Sequence, residues 1–150
     1  MKYSEKIIGK LKQLMLINDE AEKIYVHAIS TVKKKSLKTF FITRANERRT
    51  HVKLIADEIL RLNGNLNDVK STKTDFPQVH KYLKKMLLKN NENELLEAVY
   101  FLEKRSIDKF NAVLSEPGLP LSTCKILIKQ KDTIEASLYS IKRREDELVA

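Results

Sequence analysis

The residues best suited to chemistry lie in the middle of the second predicted helix, in the segment that reads RANERRTH. At 100° per residue, Arg48 falls in the centre of an otherwise apolar stripe, with Arg44 and His51 close to it and Glu47 at its flank. Bundle proteins hold metals and cofactors at inward positions of this kind. Several cations in such a place are an unusual way to bind a metal, so the segment has to be judged together with its neighbours.

The other predicted helices also carry polar residues near their middle, on inward or flanking positions. Asn18 and Glu22 lie on the first helix, Glu103 on the third, and Lys131 on the last. Residues halfway along antiparallel helices lie at similar heights, so the sequence predicts one polar layer through the core. Its candidate functional members are Asn18, Glu22, Arg44, Glu47, Arg48, His51, Glu103 and Lys131, with Ser106 and Gln130 beside them.

A di-iron or di-manganese centre is one use for such a layer, and the sequence matches it poorly. It needs carboxylates from several helices and two Glu-x-x-His pairs. Three residues after Glu47 stands Thr50, with His51 one position later, and three after Glu135 stands Leu138. An iron- or manganese-binding oxidoreductase with irregular ligands stays open as the alternative. Its candidate ligands are Glu22, Glu47, His51 and Glu103.

A metal-free salt-bridge network is the interpretation that we favour from the residues. A buried carboxylate without a partner costs on the order of several kcal/mol or takes up a proton, and inward cations prevent both. We therefore expect Arg48 to lie against a carboxylate of another helix, with Glu22 or Glu103 as first candidates. We expect Asn18 to fix helix register, with ligand binding or proton transfer as the alternatives. No catalytic residue and no cofactor are predicted.

Composition sets the outer limits on function. A chain of 150 residues with three Gly and three Pro suits one mostly helical domain, residues 1–150. The net charge of +9 raises the prospect of an acidic partner, yet the basic residues are interspersed with acidic ones, which favours a solvated surface over a nucleic-acid interface. A single cysteine, Cys124, excludes an internal disulfide and a multi-cysteine zinc site. Without a long apolar run or a secretory signal, we expect a cytoplasmic protein with no membrane span, whose partner is another protein or a second copy.

The helices that position these residues follow from apolar periodicity and from end signals. The first is predicted from about Ser4, as its N-cap, to about Val32, and the second from a cap at Ser36 to a left-handed residue at Gly64. Residues 65–75 are predicted as an exposed connection, followed by a short amphipathic helix over 76–89 that Asp75 caps.

Two more long helices complete the predicted chain. The third begins after a cap at Asn91, and the turn 117–120, Pro-Gly-Leu-Pro, separates it from a last helix over about 121–147. Four long helices with two short connections and one long crossover predict an all-α antiparallel four-helix bundle with a ferritin-like crossover. The inward face of the last helix is predicted as Cys124, Leu127, Lys131, Ile134, Leu138 and Ile141.

Three segments of the sequence also resemble a known family. LINDE at 16–20, ANERR at 45–49 and the stretch 97–110, together with the predicted crossover helix, are similar to a bacterial ferritin-like four-helix-bundle family of unknown function. That family is distantly similar to rubrerythrins, and relatives with complete sites store iron, reduce peroxide or carry out oxygen chemistry. The resemblance implies that Glu47 matches the carboxylate of helix two, while Thr50 and Leu138 replace its histidines. These replacements imply a degenerate site, and we expect a non-enzymatic protein with a stress-related or scaffold role.

Overall fold

Four long helices form the part of the chain that the structure describes. This structure, a computed structural model, covers residues 2–69, 81, 84, 85 and 91–149. The helices are α1 (Lys2–Thr31), α2 (Lys35–Arg61), α3 (Glu92–Leu114) and α4 (Leu121–Val149). They confirm the four predicted long helices. The short helix expected over 76–89 lies outside the described residues except for Lys81, Lys84 and Lys85, which are helical.

The contacts between the helices show how they are arranged. α1 packs against α2 and α3, and α4 packs against α3 and α2, so α2 and α3 lie on opposite corners of the bundle. Lys34 at the start of α2 pairs with Glu92 at the start of α3, which shows that these two helices run parallel. The four helices therefore have the predicted ferritin-like arrangement of two antiparallel hairpins.

The apolar core fills the space between the hairpins on both sides of the polar layer. Tyr25 and Phe41 stack with ring centroids 5.8 Å apart, and Phe40 packs on Phe41 edge to face at 5.4 Å. Each buried aromatic ring removes a large apolar area from water, so these three rings anchor the α1–α2 hairpin. The buried aliphatic side chains from all four helices include Leu11, Leu14, Ile24, Ile55, Ile59, Leu96, Val99, Leu102, Leu127, Ile134 and Ile141.

The helix ends agree with the predicted signals only in part. Asn91 caps α3 as predicted, because its side chain accepts hydrogen bonds from the backbone N–H groups of Asn93 and Glu94. The predicted caps at Ser4 and Ser36 are wrong. Ser4 lies inside α1, and the N-cap of α2 is Lys34, which makes no capping hydrogen bond with its side chain.

The prediction of a left-handed residue at Gly64 is displaced by one position. Asn63 adopts the left-handed conformation with φ 64°, which asparagine tolerates better than most residues. Gly64 is needed for space instead, since a Cβ there would lie 2.9 Å from Cγ2 of Ile59. Its N–H donates to the carbonyl of Ile59 at 2.9 Å and closes the end of the helix.

The face that α4 turns inward differs from the face that the sequence predicts. Leu127, Ile134 and Ile141 are buried as predicted, but two different faces share these three residues. The buried face continues through Thr123, Gln130 and Ser137, whereas Cys124, Lys131 and Leu138 are partly exposed. Two of these polar residues, Thr123 and Gln130, meet polar partners on α2, which the α4 sequence alone cannot reveal.

Candidate functional site

The polar layer is centred on Arg48, which is 2% exposed and reaches across the core from α2. Its guanidinium donates to Glu103 Oε1 at 2.7 Å and to Ser106 Oγ at 3.0 Å, both on α3, and to Asn18 Oδ1 at 2.8 Å on α1. The expectation that Arg48 meets a carboxylate of another helix is confirmed, and the partner is Glu103. One charged side chain therefore joins helices from both hairpins.

Tyr25 also binds Glu103, a contact that the sequence analysis did not predict. Its hydroxyl donates to Glu103 Oε1, the same oxygen that accepts from Arg48. Burial raises the pKa of the Tyr25 hydroxyl well above its usual value of 10.0, and the Glu103 carboxylate adds to this shift. Tyr25 lies on the apolar stripe of α1, where an aromatic residue predicts packing, so no sequence signal marked its hydroxyl.

Asn18 sets the proton position on His51. The Asn18 Nδ2 group donates to the carbonyl of Leu14 at 2.8 Å, so Oδ1 is the acceptor that faces both Arg48 and His51 Nδ1, the latter at 3.3 Å. His51 Nδ1 must then carry the proton. Burial, and then the charge of Arg48, lower the pKa of His51 from 6.5 to about 3, so the ring is neutral at ordinary pH and its Nε2 keeps a free lone pair.

The remaining predicted carboxylates lie outside this centre. Glu22 accepts from Arg49 Nε at 2.6 Å near the surface, so the suggestion that it pairs with Arg48 is wrong. Glu47 pairs with Arg44 at 2.9 Å along α2, and desolvation raises its pKa. The guanidinium of Arg44 also stacks over the ring of Phe40, 4.9 Å from its centroid.

Lys131 is not a member of the layer. It is partly exposed and pairs with Glu135 one turn along α4, at 3.4 Å. Gln130 takes the inward position and donates through Nε2 to the carbonyl of His51 at 3.3 Å. The expected contribution of α4 is therefore an amide instead of a cation.

A polar seam between α2 and α4 extends beyond the layer in both directions. On α2, Arg44, His51 and Glu58 follow one another at intervals of seven residues, and so do the α4 residues that face this seam. The α4 set is Thr123, Gln130 and Ser137. Matching seven-residue intervals of polar residues on two helices were a sequence signal for this seam.

Glu58 is buried, at 3% exposure, and the sequence analysis did not predict it as a polar-core residue. Arg61 donates to it through Nε at 2.6 Å and Nη2 at 2.9 Å, Ser122 Oγ donates at 3.1 Å, and Thr123 Oγ1 donates to the same carboxylate. These hydrogen bonds, that of Arg61 first, lower the pKa of Glu58. The cluster clamps the end of α2 to the start of α4.

The donor set of the polar layer does not fit a di-metal centre. Such a centre needs several carboxylate oxygens free to bind cations, whereas Glu103 Oε1 already accepts from Arg48 and Tyr25. Glu22, Glu47 and His51 each bind a different partner. In the described part of the chain, no three His, Cys, Asp or Glu side chains come together in a group that could hold a metal ion.

A family profile matches residues 6–116, about three quarters of the chain. Its description is a domain of unknown function, DUF2383. The chain belongs to this family. Asn18, Arg48, His51 and Glu103 all lie in the matched part, whereas Gln130 and the rest of α4 follow it. The comparison with curated proteins finds no match.

A solved structure supports the fold of this DUF2383 chain. It is the bacterioferritin-related protein of Bacteroides fragilis, described as a dodecameric thioferritin in the bacterial domain. The TM-score is 0.74, with 17% sequence identity over 97% of this chain and 88% of the other. The likeness confirms the ferritin-like four-helix bundle. In addition, none of the described helices is long and apolar enough to cross a membrane.

Proposed function

We propose that this DUF2383 protein is a ferritin-like bundle that works without a di-metal centre, as a non-enzymatic scaffold. The observation that carries the proposal is the buried Arg48, whose guanidinium binds Asn18, Glu103 and Ser106 in the middle of the core. A cation placed there repels divalent metal ions and occupies the oxygen atoms that would bind them. The bundle is held by fixed protein charges, so no metal is needed to neutralise Glu103.

Metal analysis tests this proposal directly. The purified full chain is incubated with Fe²⁺ or Mn²⁺, desalted, and analysed by inductively coupled plasma mass spectrometry. We expect well below one ion per chain, because the carboxylate is already neutralised. Stoichiometric binding of two ions per chain, the content of a di-metal site, would favour the alternative of an oxidoreductase with irregular ligands.

Glu103→Ala provides a second readout that separates the two functions. In a metal-free network this substitution leaves Arg48 as a buried charge without its carboxylate, and it lowers the stability of the bundle. The metal content of the protein should not change. A loss of bound metal in Glu103→Ala, measured against wild type prepared in parallel, would show that Glu103 is a ligand.

We also propose that the scaffold is a homo-oligomer. The structurally similar thioferritin is described as dodecameric. On α4, Leu121 and Tyr139 are each 70% exposed and Ile128 is 48% exposed. At 100° per residue these three side chains lie within roughly 20° of one another, so they form one exposed stripe along the helix, in which Asp132 also lies. Its large apolar side chains make this stripe our candidate for the interface between copies.

Light scattering after size-exclusion chromatography tests the oligomer. We expect a mass that is a multiple of the 17.4 kDa chain, and a shift to the monomer in the double variant Ile128→Glu, Tyr139→Glu. Ile42→Glu is the matched control, because Ile42 is 45% exposed on α2, outside the stripe. A wild-type monomer at all concentrations would contradict the proposal.

A further inference from the structure

A groove of about 670 Å³ runs between α2 and α4, on the outer side of the polar seam. Its floor contains His51, which is 5% exposed, and Gln130, which is 2% exposed. Leu54 and Ile126 are among its apolar lining residues, and Lys129 lies on its rim. Volumes of this size are typical of small-molecule sites, which combine apolar walls with a few fixed polar groups.

The seam beneath this groove contains buried polar atoms that lack hydrogen bonds. Among the described residues, Gln130 Oε1, Ser137 Oγ and Arg44 Nε are buried and make no hydrogen bond. Each such atom costs on the order of 1–3 kcal/mol. Gln130 also lines the groove, and the terminal torsion of a glutamine amide is soft. Gln130 Oε1 is therefore a buried acceptor without a partner on a residue that lines the groove.

The floor of the groove is mainly a hydrogen-bond acceptor surface. His51 donates through Nδ1 to Asn18 in the core, which leaves the Nε2 lone pair on the other part of the ring. Thr50 and Thr133 line the walls, and both hydroxyl protons are donated to carbonyls of their own helices, those of Asn46 and Lys129. These groups can therefore accept a hydrogen bond from an N–H or O–H group of a ligand.

The rim of the groove favours an anion. Lys125 and Lys129 both line it and are exposed, and Glu47, the acidic residue in the lining, is already paired with Arg44. An anionic group of a ligand would pair with the two lysines, and an N–H or O–H group at its other end would donate to the acceptors at the floor. An apolar body between them would contact Leu54 and Ile126.

We propose that the groove between α2 and α4 binds a small organic acid whose apolar body carries an N–H or O–H donor opposite the acidic group. This inference does not depend on whether the bundle binds metal or forms an oligomer. The exposed stripe on α4 lies roughly 120° around the helix from the groove, at 100° per residue. A ligand in the groove and a second copy on the stripe can therefore be tested separately.

Three small probes distinguish the parts of this proposal. They are 4-hydroxyphenylacetate, which has donor, ring and acid; phenylacetate, which lacks the donor; and tyrosol, which lacks the acid. Each is titrated into the full ¹⁵N-labelled chain, and the side-chain amide signals of Gln130 are followed by NMR. We expect saturable shifts with 4-hydroxyphenylacetate, with Kd on the order of 1 mM for a ligand of this size. The other two probes should bind at least about fivefold more weakly, the loss expected for one hydrogen bond or ion pair.

Two variants assign the binding to the groove. Lys129→Gln should weaken the binding of 4-hydroxyphenylacetate and leave the binding of tyrosol unchanged. Lys142→Gln, on the opposite side of α4, is the matched control and should change the binding of neither probe. Gln130→Met, followed through the backbone amide signals of Leu54 and Thr133, should remove the preference for 4-hydroxyphenylacetate over phenylacetate. Equal binding of the three probes, or no saturable shift at Gln130 in the wild type, would overturn the proposal. A loss of binding in Lys142→Gln equal to that in Lys129→Gln would also overturn it.

Discussion

At the scale of single residues, Asn18 joins the two basic side chains of the polar layer. Its Oδ1 accepts from Arg48 at 2.8 Å and lies 3.3 Å from His51 Nδ1, so a cation and a neutral ring share one oxygen. A second positive charge on His51 would lie next to Arg48, with most of its ring buried. The polar layer therefore holds one cation, Arg48, and one anion, Glu103.

This arrangement predicts how stability depends on pH. The pKa of His51 is about 3 in the fold against an ordinary value of 6.5, so between these values the unfolded chain binds more protons than the folded one. The free energy of unfolding should fall as the pH drops through this window. From these two pKa values, it should be about 2 kcal/mol lower at pH 5 than at pH 8. Urea unfolding measured at intervals from pH 8 to pH 5 gives the slope.

Two histidine substitutions identify the source of that slope. His51→Gln keeps a hydrogen-bond donor and removes the titrating group, so its stability should change much less over the same range. His27→Gln is the matched control, because His27 is exposed on α1, and it should retain the wild-type slope. A wild-type slope in His51→Gln would show that another group titrates.

At the scale of helices, α2 and α4 meet through polar residues at three successive levels. Glu58 lies opposite Thr123, and His51 lies opposite Gln130. The same antiparallel register places Arg44 level with Ser137. Polar pairs at intervals along a helix interface specify register, because a shifted helix would leave several of them buried without partners.

Thr123→Val tests the end of this seam. The change removes a hydroxyl that donates to the buried carboxylate of Glu58 and keeps the shape of the side chain. We expect the free energy of unfolding to fall by about 1.5–3 kcal/mol, the usual contribution of a hydrogen bond to a charged group. Thr133→Val is the control, since Thr133 bonds a carbonyl of its own helix, and it should cost well under 1 kcal/mol by the usual size of surface substitutions. Equal losses in the two variants would contradict the assigned role of Thr123.

The same helices show what a sequence can and cannot predict. The four long helices, the cap at Asn91 and the inward direction of Arg48 follow from periodicity and local chemistry, and all three are confirmed. The face of α4 was predicted wrongly because Leu127, Ile134 and Ile141 belong equally to two faces. Apolarity favours the face with Cys124 and Leu138, whereas the fold uses the polar one.

The pairing of charges could not be predicted for a related reason. Glu22 and Glu103 are both acidic residues near mid-helix, and only the packing of the hairpins decides which of them reaches Arg48. Tyr25 and Glu58 were missed because each looks ordinary in its own helix. They become polar-core residues through partners 78 and 65 positions away in the chain, Glu103 and Thr123.

At the scale of the whole molecule, one ion pair connects the two hairpins through the core. Arg48 on α2 and Glu103 on α3 lie on helices at opposite corners of the bundle, and their contact of 2.7 Å crosses between them. Both side chains are almost fully buried, at 2% and 1% exposure. Removing either charge leaves the other without a counter-charge, whereas removing both leaves no unpaired charge in the core.

A double-mutant cycle on this pair measures the central claim most directly. We expect Arg48→Met and Glu103→Leu each to lower the free energy of unfolding in urea by about 3–5 kcal/mol. The double variant should lose much less than the sum of the two, with a coupling energy of at least about 2 kcal/mol. Losses that add to within about 0.5 kcal/mol would show that the two side chains act independently, and would contradict the account of the bundle as built around a buried ion pair.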